Sequence, residues 1–270
     1  MKGPRAKRRL GQHFLTDPAI LARIAAATGA GRDDTVLEIG PGPGALTAAL
    51  TARGARIVAI EKDPDVLPAL RVRAPGAVIL EADALEVDWH AASGAPDPAR
   101  WIIAGNIPYN ITSPLIDRAL LPPRPVRVVF LVQKEVAFRV AAAPGTEAYG
   151  ALSVGVQAVA RPERLFTVPA GAFSPPPRVD SAVLRLVPLE VPLIADAERP
   201  AFRAAVVGLF GFRRKQLVRG VRELTGWPAD TARATLGGAG IDPVARPETL
   251  DPAAFVRLAR RLVDGGWRQH

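Results

Sequence analysis

The chain of 270 residues contains no cysteine. Disulfides, thiolate metal sites, cysteine nucleophiles and iron–sulfur clusters are thereby excluded. Histidine is nearly as scarce: His13, His90 and His270 lie far apart in sequence, and no metal site is expected from them. No apolar run approaches the roughly 18 residues that a membrane span needs. The opening residues, MKGPRAKRRLGQHF, are basic with no apolar stretch behind them, unlike a secretory signal. These absences point to a soluble, cytoplasmic protein without a membrane partner. Nothing in the sequence demands more than a monomer.

What is present is enough to build a large core. The composition is 49% hydrophobic and 23% charged, which excludes a disordered chain. The net charge of +9 is unevenly spread. Residues 1–23 carry +5 and residues 199–270 carry +7, whereas residues 24–198 carry −3. Basic ends on a slightly acidic middle suggest a polyanionic partner, with RNA or DNA the usual one.

The first half alternates between short apolar runs and helical patterns. Strands are expected at Thr35–Ile39, Ala55–Ile60, Val78–Leu80, Trp101–Ala104 and Val126–Val132. Helices are expected at Ala45–Arg53, Asp65–Arg73 and Ser113–Leu121. Such alternation of near-continuous apolar strands with helices predicts an α/β fold with a mostly parallel sheet, covered on both faces. Leu152–Ala160 and Ala182–Val187 read as later strands beside Pro-rich turns, giving an antiparallel edge. Pro188–Pro200 reads as a linker, with helical segments at 200–210, 213–225, 229–237 and 251–263 beyond it. The expected division is a domain of residues 1–190 and a small C-terminal helical domain of residues 191–270.

Glu38-Ile-Gly-Pro-Gly-Pro-Gly44 follows the first of these strands and opens a helix. Gly40 and Gly42 let the backbone approach a ligand closely. The G-x-G-x-G spacing suits a nicotinamide pyrophosphate poorly. Glu61 ends the next strand, within reach of a ribose diol, and Asp83 follows the third beside Ala84, where it can accept from an adenine amino group. Any one of Glu38, Glu61 and Asp83 alone reads as a solvated strand-end acid. Together, at successive strand ends, they describe a nucleoside pocket without a phosphate grip, which fits S-adenosylmethionine.

Gly105-Asn-Ile-Pro-Tyr109 ends the fourth strand. The exocyclic amine of an adenine is a weak nucleophile because its lone pair is delocalised into the ring. Two acceptors aimed at its N–H bonds would pull the nitrogen toward pyramidal geometry. The Asn106 side-chain oxygen and a backbone carbonyl at Ile107 or Pro108 are the candidate pair. Proline stiffens the loop, and Tyr109 offers a face on which a base can stack. The plainer alternative is an ordinary strand-to-helix turn.

Seven motifs in order carry a resemblance. They are Leu10-Gly-Gln-His-Phe-Leu15, Glu38–Gly44, Gly105–Tyr109 with its Asn-Ile-Thr-Ser-Pro tail, Gln133-Lys-Glu-Val136, Tyr149-Gly-Ala-Leu-Ser153, Phe173–Ser181 and Phe212-Arg-Arg-Lys-Gln216. Over about Lys7 to Arg222 the chain resembles the ribosomal RNA adenine dimethyltransferases, and among them the bacterial small-subunit type. The resemblance implies a Rossmann-like class I methyltransferase domain plus a small helical domain. It implies transfer of two methyl groups from S-adenosylmethionine to N6 of each of two adjacent adenosines, in the hairpin loop near the 3′ end of small-subunit (16S) ribosomal RNA, on the immature small subunit. It puts His13, Leu15, Gly40, Glu61, Asp83 and Asn106 at the cofactor, and Phe173 on the face of the target base opposite Tyr109. The family often has Asn where His13 stands, and histidine, unlike Asn, can titrate. Lys7, Arg8 and Arg9 at one end and Arg213, Arg214 and Lys215 at the other are expected to hold phosphates without reading sequence.

Two rival readings are a macrolide-resistance type enzyme that dimethylates large-subunit RNA and a non-catalytic RNA-binding assembly factor of the same fold. The Gln133–Val136 and Tyr149–Ser153 runs favour the small-subunit enzyme, and the intact Asn106, Pro108 and Tyr109 favour catalysis.

Overall fold

The computed structural model describes residues 6–7 and 10–268. Its elements, in chain order, begin with β1 (Phe14–Leu15), α1 (Pro18–Thr28), β2 (Thr35–Ile39), α2 (Ala45–Thr51), β3 (Arg56–Glu61), α3 (Leu67–Arg73) and β4 (Val78–Glu81). There follow α4 (Trp89–Ser93), β5 (Trp101–Asn106), α5 (Thr112–Ala119), β6 (Arg127–Gln133), α6 (Lys134–Val140), α7 (Ala151–Gln157), β7 (Ala160–Val168), β8 (Phe173–Ser174) and β9 (Ser181–Pro188). Four longer helices close the chain: α8 (Arg199–Gly211), α9 (Leu217–Thr225), α10 (Ala229–Gly238) and α11 (Pro252–Asp264).

Seven strands form one sheet in the order β4-β3-β2-β5-β6-β9-β7. The pairs joining β4 through β6 are parallel, and β9 lies antiparallel to β6. All five residues of β2 are buried, as are the central residues of β5 and β6. Alternate residues of a strand point to opposite faces. Val36, Ile102 and Val129 share a cluster with Leu21, Ile24 and Leu50 of α1 and α2, while Leu37, Ile103 and Phe130 are equally buried on the other parity. That two-sided burial is why these strands read as unbroken apolar runs. Asp17 caps α1 by accepting from the backbone N–H groups of Ala19 (2.9 Å) and Ile20 (3.1 Å), and Pro18 supplies the preset first turn.

The chain packs as two compact units. The first runs to Ala137 and resumes over Pro162–Pro188. The second takes Phe138–Arg161 and the chain from Leu189 onward. The division expected near residue 190 is therefore incomplete, because residues 138–161 join the helical unit. The expected strand at Leu152–Ala160 is also corrected: its first part is the helix α7. The valines there suggest extended backbone, but Ser153 Oγ accepts from Gly150 N–H at the helix start (3.0 Å), and Val154 and Val156 are buried. The strand comes later, as β7, at the edge of the sheet, the place where a strand proline such as Pro162 is tolerated.

In the helical unit, Tyr149 is fully buried and donates its hydroxyl to Leu250 O (2.9 Å). Its ring meets Phe210, which stacks on Phe255. The expected helix from residue 213 begins at Leu217 instead. Residues before it turn: Lys215 N–H donates to Phe212 O (2.8 Å), and the Arg213 guanidinium donates to Glu147 O (2.8 Å).

One residue of the sheet admits no side chain. A Cβ on Gly105 would lie 2.4 Å from the carbonyl oxygen of Ile39. That atom belongs to backbone and cannot swing aside. Gly105→Ala is expected to destabilise the protein by about 2–3 kcal/mol through overpacking. The check is a lowered denaturant midpoint with an unchanged slope.

Candidate active site

Strand order reverses at β2, which has β3 on one side and β5 on the other. Crevices at such a reversal, beyond the carboxyl ends of the strands, are where open α/β sheets bind ligands. A cavity of about 300 Å³ opens there, lined by the ends of β2, β3 and β5, by the loop after β4, and by residues 10–15.

Glu38, Gly40, Gly42, Glu61, Asp83 and Ala84 all line it. Gly42 has φ 54°, and a Cβ there would stand 3.0 Å from the Phe14 ring. Its N–H donates to Glu61 Oε2 (2.9 Å), and Asp63 N–H donates to Glu61 Oε1 (2.8 Å). Lys62 N–H also bears on this carboxylate, and with about four acceptor sites it keeps capacity for a diol. Burial pushes the Glu61 carboxyl up, and these two N–H bonds oppose the rise. Glu38 is 1% exposed. Burial pushes its carboxyl up to about 8, the Thr47 hydroxyl opposing and the Glu61 charge adding. Neither Glu38 Oε2 nor Thr47 Oγ1 has a well-formed hydrogen bond, although both are buried.

Asp83 is held differently. Lys62 Nζ reaches its Oδ2 (2.5 Å) and Leu85 N–H donates to its Oδ1 (2.9 Å). The lysine, then the N–H, hold its carboxyl below the usual range. The loop that carries it is fastened from two sides. Trp89 Nε1 donates to Ala84 O (2.6 Å), and the Arg118 guanidinium donates to Leu85 O (2.9 Å) and to Val87 O. Arg118 lies on α5, the helix that follows the Asn-Ile-Pro-Tyr segment.

Asn106 ends β5 with its Nδ2 donating to His13 O (2.8 Å). The amide is thereby oriented, and Oδ1 is left as the acceptor. Pro108 O accepts from Ile111 N–H (3.3 Å), and the single Thr112 hydroxyl proton is shared between Pro108 O and Tyr109 O (3.2 Å each). Of the two carbonyls expected beside Asn106, that of Pro108 is thus already engaged within its own turn. The Tyr109 hydroxyl is tied to Ser181 Oγ (2.5 Å), and Ser181 is fully buried. Burial raises the Tyr109 pKa, and the Ser181 bond offsets part of that rise.

His13 stacks on Tyr109 with ring centroids 5.7 Å apart at 24°. Its Nδ1 sits 2.9 Å from Pro175 O. A carbonyl only accepts, so Nδ1 carries the proton and Nε2 is the ring atom left for a ligand. Leu15 is buried and pairs with Phe173 across the two-stranded β1–β8 ribbon. Phe173 itself is 4% exposed, packs in the hydrophobic core, and is not among the residues lining the cavity. The aromatic ring that meets Tyr109 here is His13, and a base-stacking position for Phe173 would need it to leave its core contacts.

Of the basic residues, Arg8 and Arg9 lie outside the described residues. Lys7 makes ion pairs with Asp63 (2.5 Å) and Asp65 (2.6 Å). Arg213 is partly engaged with the 146–147 backbone, whereas Arg214 and Lys215 are exposed in the helical unit. Sequence reasoning missed Gln12, Asp63, Arg118 and Ser181. Ser181 lay inside a motif already noted, but its partner Tyr109 is 72 residues away.

The model of the ribosomal RNA adenine dimethylase family matches residues 3–263. A ribosomal RNA small subunit methyltransferase A from Acidithiobacillus ferrooxidans is 46% identical over 268 residues, covering 98% of this chain and 97% of its own length. One of the same name from Nitratidesulfovibrio vulgaris is 46% identical over 267 residues, covering 96% and 97%. The crystal structure of a dimethyladenosine transferase from Plasmodium falciparum superposes with a TM-score of 0.79 at 25% identity, covering 94% of this chain and 98% of that one. That of the 23S rRNA methyltransferase ErmE gives 0.69 at 28% identity, with 93% and 99% covered.

The buried acid at the head of the glycine loop yields a prediction. Between the ordinary carboxyl value of 4.5 and about 8, folded Glu38 holds a proton that the unfolded chain has released. Stability therefore falls as pH rises through that window and levels off above it. Glu38→Gln has no such proton to lose. Its thermal midpoint without ligand is expected to fall less than that of the wild type from about pH 5 to about pH 8.5.

Proposed function

The chain belongs to the ribosomal RNA adenine dimethylase family, and on that premise we propose how its residues carry out S-adenosylmethionine-dependent N6,N6-dimethylation of two adjacent adenosines in small-subunit (16S) ribosomal RNA. The observation that carries the assignment of roles is the Asn106 amide, oriented by His13 O so that an acceptor remains for the target amine.

The cavity fits the cofactor by its donor set. Acids stand at successive strand ends, no cluster of basic side chains among the described residues offers a phosphate grip, and Glu38 Oε2 is buried without a well-formed hydrogen bond. Glu61 would hold the ribose, Asp83 and the adjoining Ala84 the adenine, and Glu38 with Gly40 and Gly42 the amino-acid end. His13 Nε2 and Leu15 close the side formed by the N-terminal segment. When bound, S-adenosylmethionine supplies a methyl on a positively charged sulfur.

The protein's own work is on the base. Asn106 Oδ1 and Ile107 O accept the two N–H bonds of N6 and draw the nitrogen lone pair out of the ring, toward the methyl. Pro108 and the turn closed by Thr112 keep this corner stiff, which is what positioning at this scale requires. Tyr109, tethered by Ser181, gives the extruded base its stacking surface. No general base is needed, because the attacking nitrogen sheds its proton once it has become cationic. After one transfer a single N–H remains, so the second requires rotation about the C6–N6 bond and room for the first methyl. Arg214 and Lys215 hold phosphates, and Arg213 contributes where its backbone contacts allow.

No helix among the described residues is long and apolar enough to cross a membrane. The reading places the enzyme in the cytoplasm, acting as a monomer on the immature small subunit. Separate incubation of immature small subunits and of large subunits with labelled S-adenosylmethionine, followed by mapping of the product nucleotides, tests it: label on two adjacent adenosines of small-subunit RNA is expected, and label on large-subunit RNA alone would overturn it.

Two variants separate the roles. Asn106→Ala is expected to cut turnover by about 100-fold or more, the scale of losing one preorganised partner of the reacting group, with the unfolding midpoint nearly unchanged. Ser181→Ala frees the Tyr109 hydroxyl and is expected to raise the RNA KM by roughly three- to tenfold, the worth of one hydrogen bond, without moving cofactor affinity. Tyr109→Phe should match it, and the double variant should add nothing further.

A further inference from the structure

Asp63 is 1% exposed, yet three donors converge on its carboxylate. Lys7 Nζ reaches Oδ1 (2.5 Å), Asp65 N–H donates to the same oxygen (3.2 Å), and Gln12 Nε2 donates to Oδ2 (2.8 Å). Lys7 Nζ also bridges to Asp65 Oδ2 (2.6 Å). The backbone N–H of Lys7 donates to Gln12 Oε1 (2.8 Å), and Leu10 N–H donates to Lys7 O (3.0 Å). Lys7 is thus bonded to both Leu10 and Gln12, and Leu10 and Gly11 line the cavity. On the other side, Asp63 N–H donates to Glu61 Oε1, the acid assigned to the ribose.

A phosphate-binding lysine keeps its ammonium free in solvent. This one is 25% exposed and lies between two carboxylates. Buried as it is, Asp63 would carry a costly uncompensated charge without that partner. Burial raises the Asp63 pKa, but the bonds from Lys7 and Gln12 outweigh it and hold the carboxyl below its ordinary range.

We propose that Lys7 and Gln12, gripping Asp63, form a clasp that holds the N-terminal segment across the cofactor cavity and fixes Glu61, so that they are positioning residues for cofactor retention rather than RNA contacts. The proposal rests on the cavity being the S-adenosylmethionine site. The clasp contains an ion pair only partly shielded from solvent, so salt loosens it.

The test uses the full chain and the release of S-adenosylmethionine followed by stopped-flow displacement at low and high salt. Lys7→Met is expected to speed release by about tenfold and to abolish the acceleration by salt that the wild type shows, an effect the size of one charge-assisted bond. Lys7→Arg, which keeps the charge, should restore slow release. Affinity for a 3′-hairpin RNA should change by less than about twofold, compared with the several-fold loss expected for a phosphate contact. Gln12→Leu removes an uncharged donor from Asp63 but keeps the Lys7 ion pair, and should speed release by a smaller factor with its salt dependence intact; it serves as the second variant should Lys7→Met lower the ligand-free melting temperature. Unchanged release in both variants, or weakened RNA binding with unchanged release, overturns the clasp while leaving the enzymatic reading standing. Failure of the wild-type protein to bind S-adenosylmethionine at all overturns both.

Discussion

The site depends on which way one amide points. The oxygen and nitrogen of an Asn side chain are nearly the same size, and only their partners decide which end faces a ligand. In this chain the partner is His13 O, which takes the Asn106 Nδ2 protons. Reversed, the amide would present donors to an amine that is itself a donor, so the proposed grip on the target nitrogen rests on this orientation. A residue of the fifth strand therefore owes its chemistry to a segment some ninety residues earlier. That segment is secured three times over: by the β1–β8 ribbon, by the His13 ring on Pro175 O, and by Thr16 on Ala172 O.

The four acids around the cavity illustrate how placement sets charge. Among the described residues Glu38 and Glu61 make no ion pair, and burial pushes both toward protonation. Asp63 and Asp83 each have a lysine and stay ionised. On the proposed reading, a ligand with a positive sulfur and an ammonium enters a cavity in which Glu38 and Glu61, pushed up by burial, are the acids that gain most from a cation. The lysine-paired acids are left to do structural work: Asp63 ties down the N-terminal segment, and Asp83 orders the loop that Arg118 and Trp89 brace from behind.

Much of this was legible in the sequence where the signal was local. Strands β2, β3, β5 and β6 are apolar on both faces, so their runs are continuous and bounded by glycine or charge. The glycine loop and the Asn-Ile-Pro-Tyr corner sit at strand ends, where an α/β sheet must place its ligand. The reading failed where a residue's meaning came from a distant partner. Lys7 looked like part of a basic tail, because nothing near it reveals that Asp63 will fold against it. Phe173 carried an expected stacking role from resemblance, but its strand pairing with Leu15 buries it. Residues 152–160 alternate valine with small residues and read as extended, yet the first six of them lie in the helix α7, with Val154 and Val156 buried.

The path of the chain between its two units has a consequence of another kind. The backbone passes from one unit to the other after Ala137, returns after Arg161, and leaves again after Pro188. The helical unit is thus assembled from two stretches, and Tyr149, whose hydroxyl meets Leu250 O, comes from the shorter one. Cutting at the linker would strip that unit of part of its own interior. A gene fusion or recombination event that exchanged only the C-terminal third would carry over an unfinished core, so the two units are constrained to be inherited together.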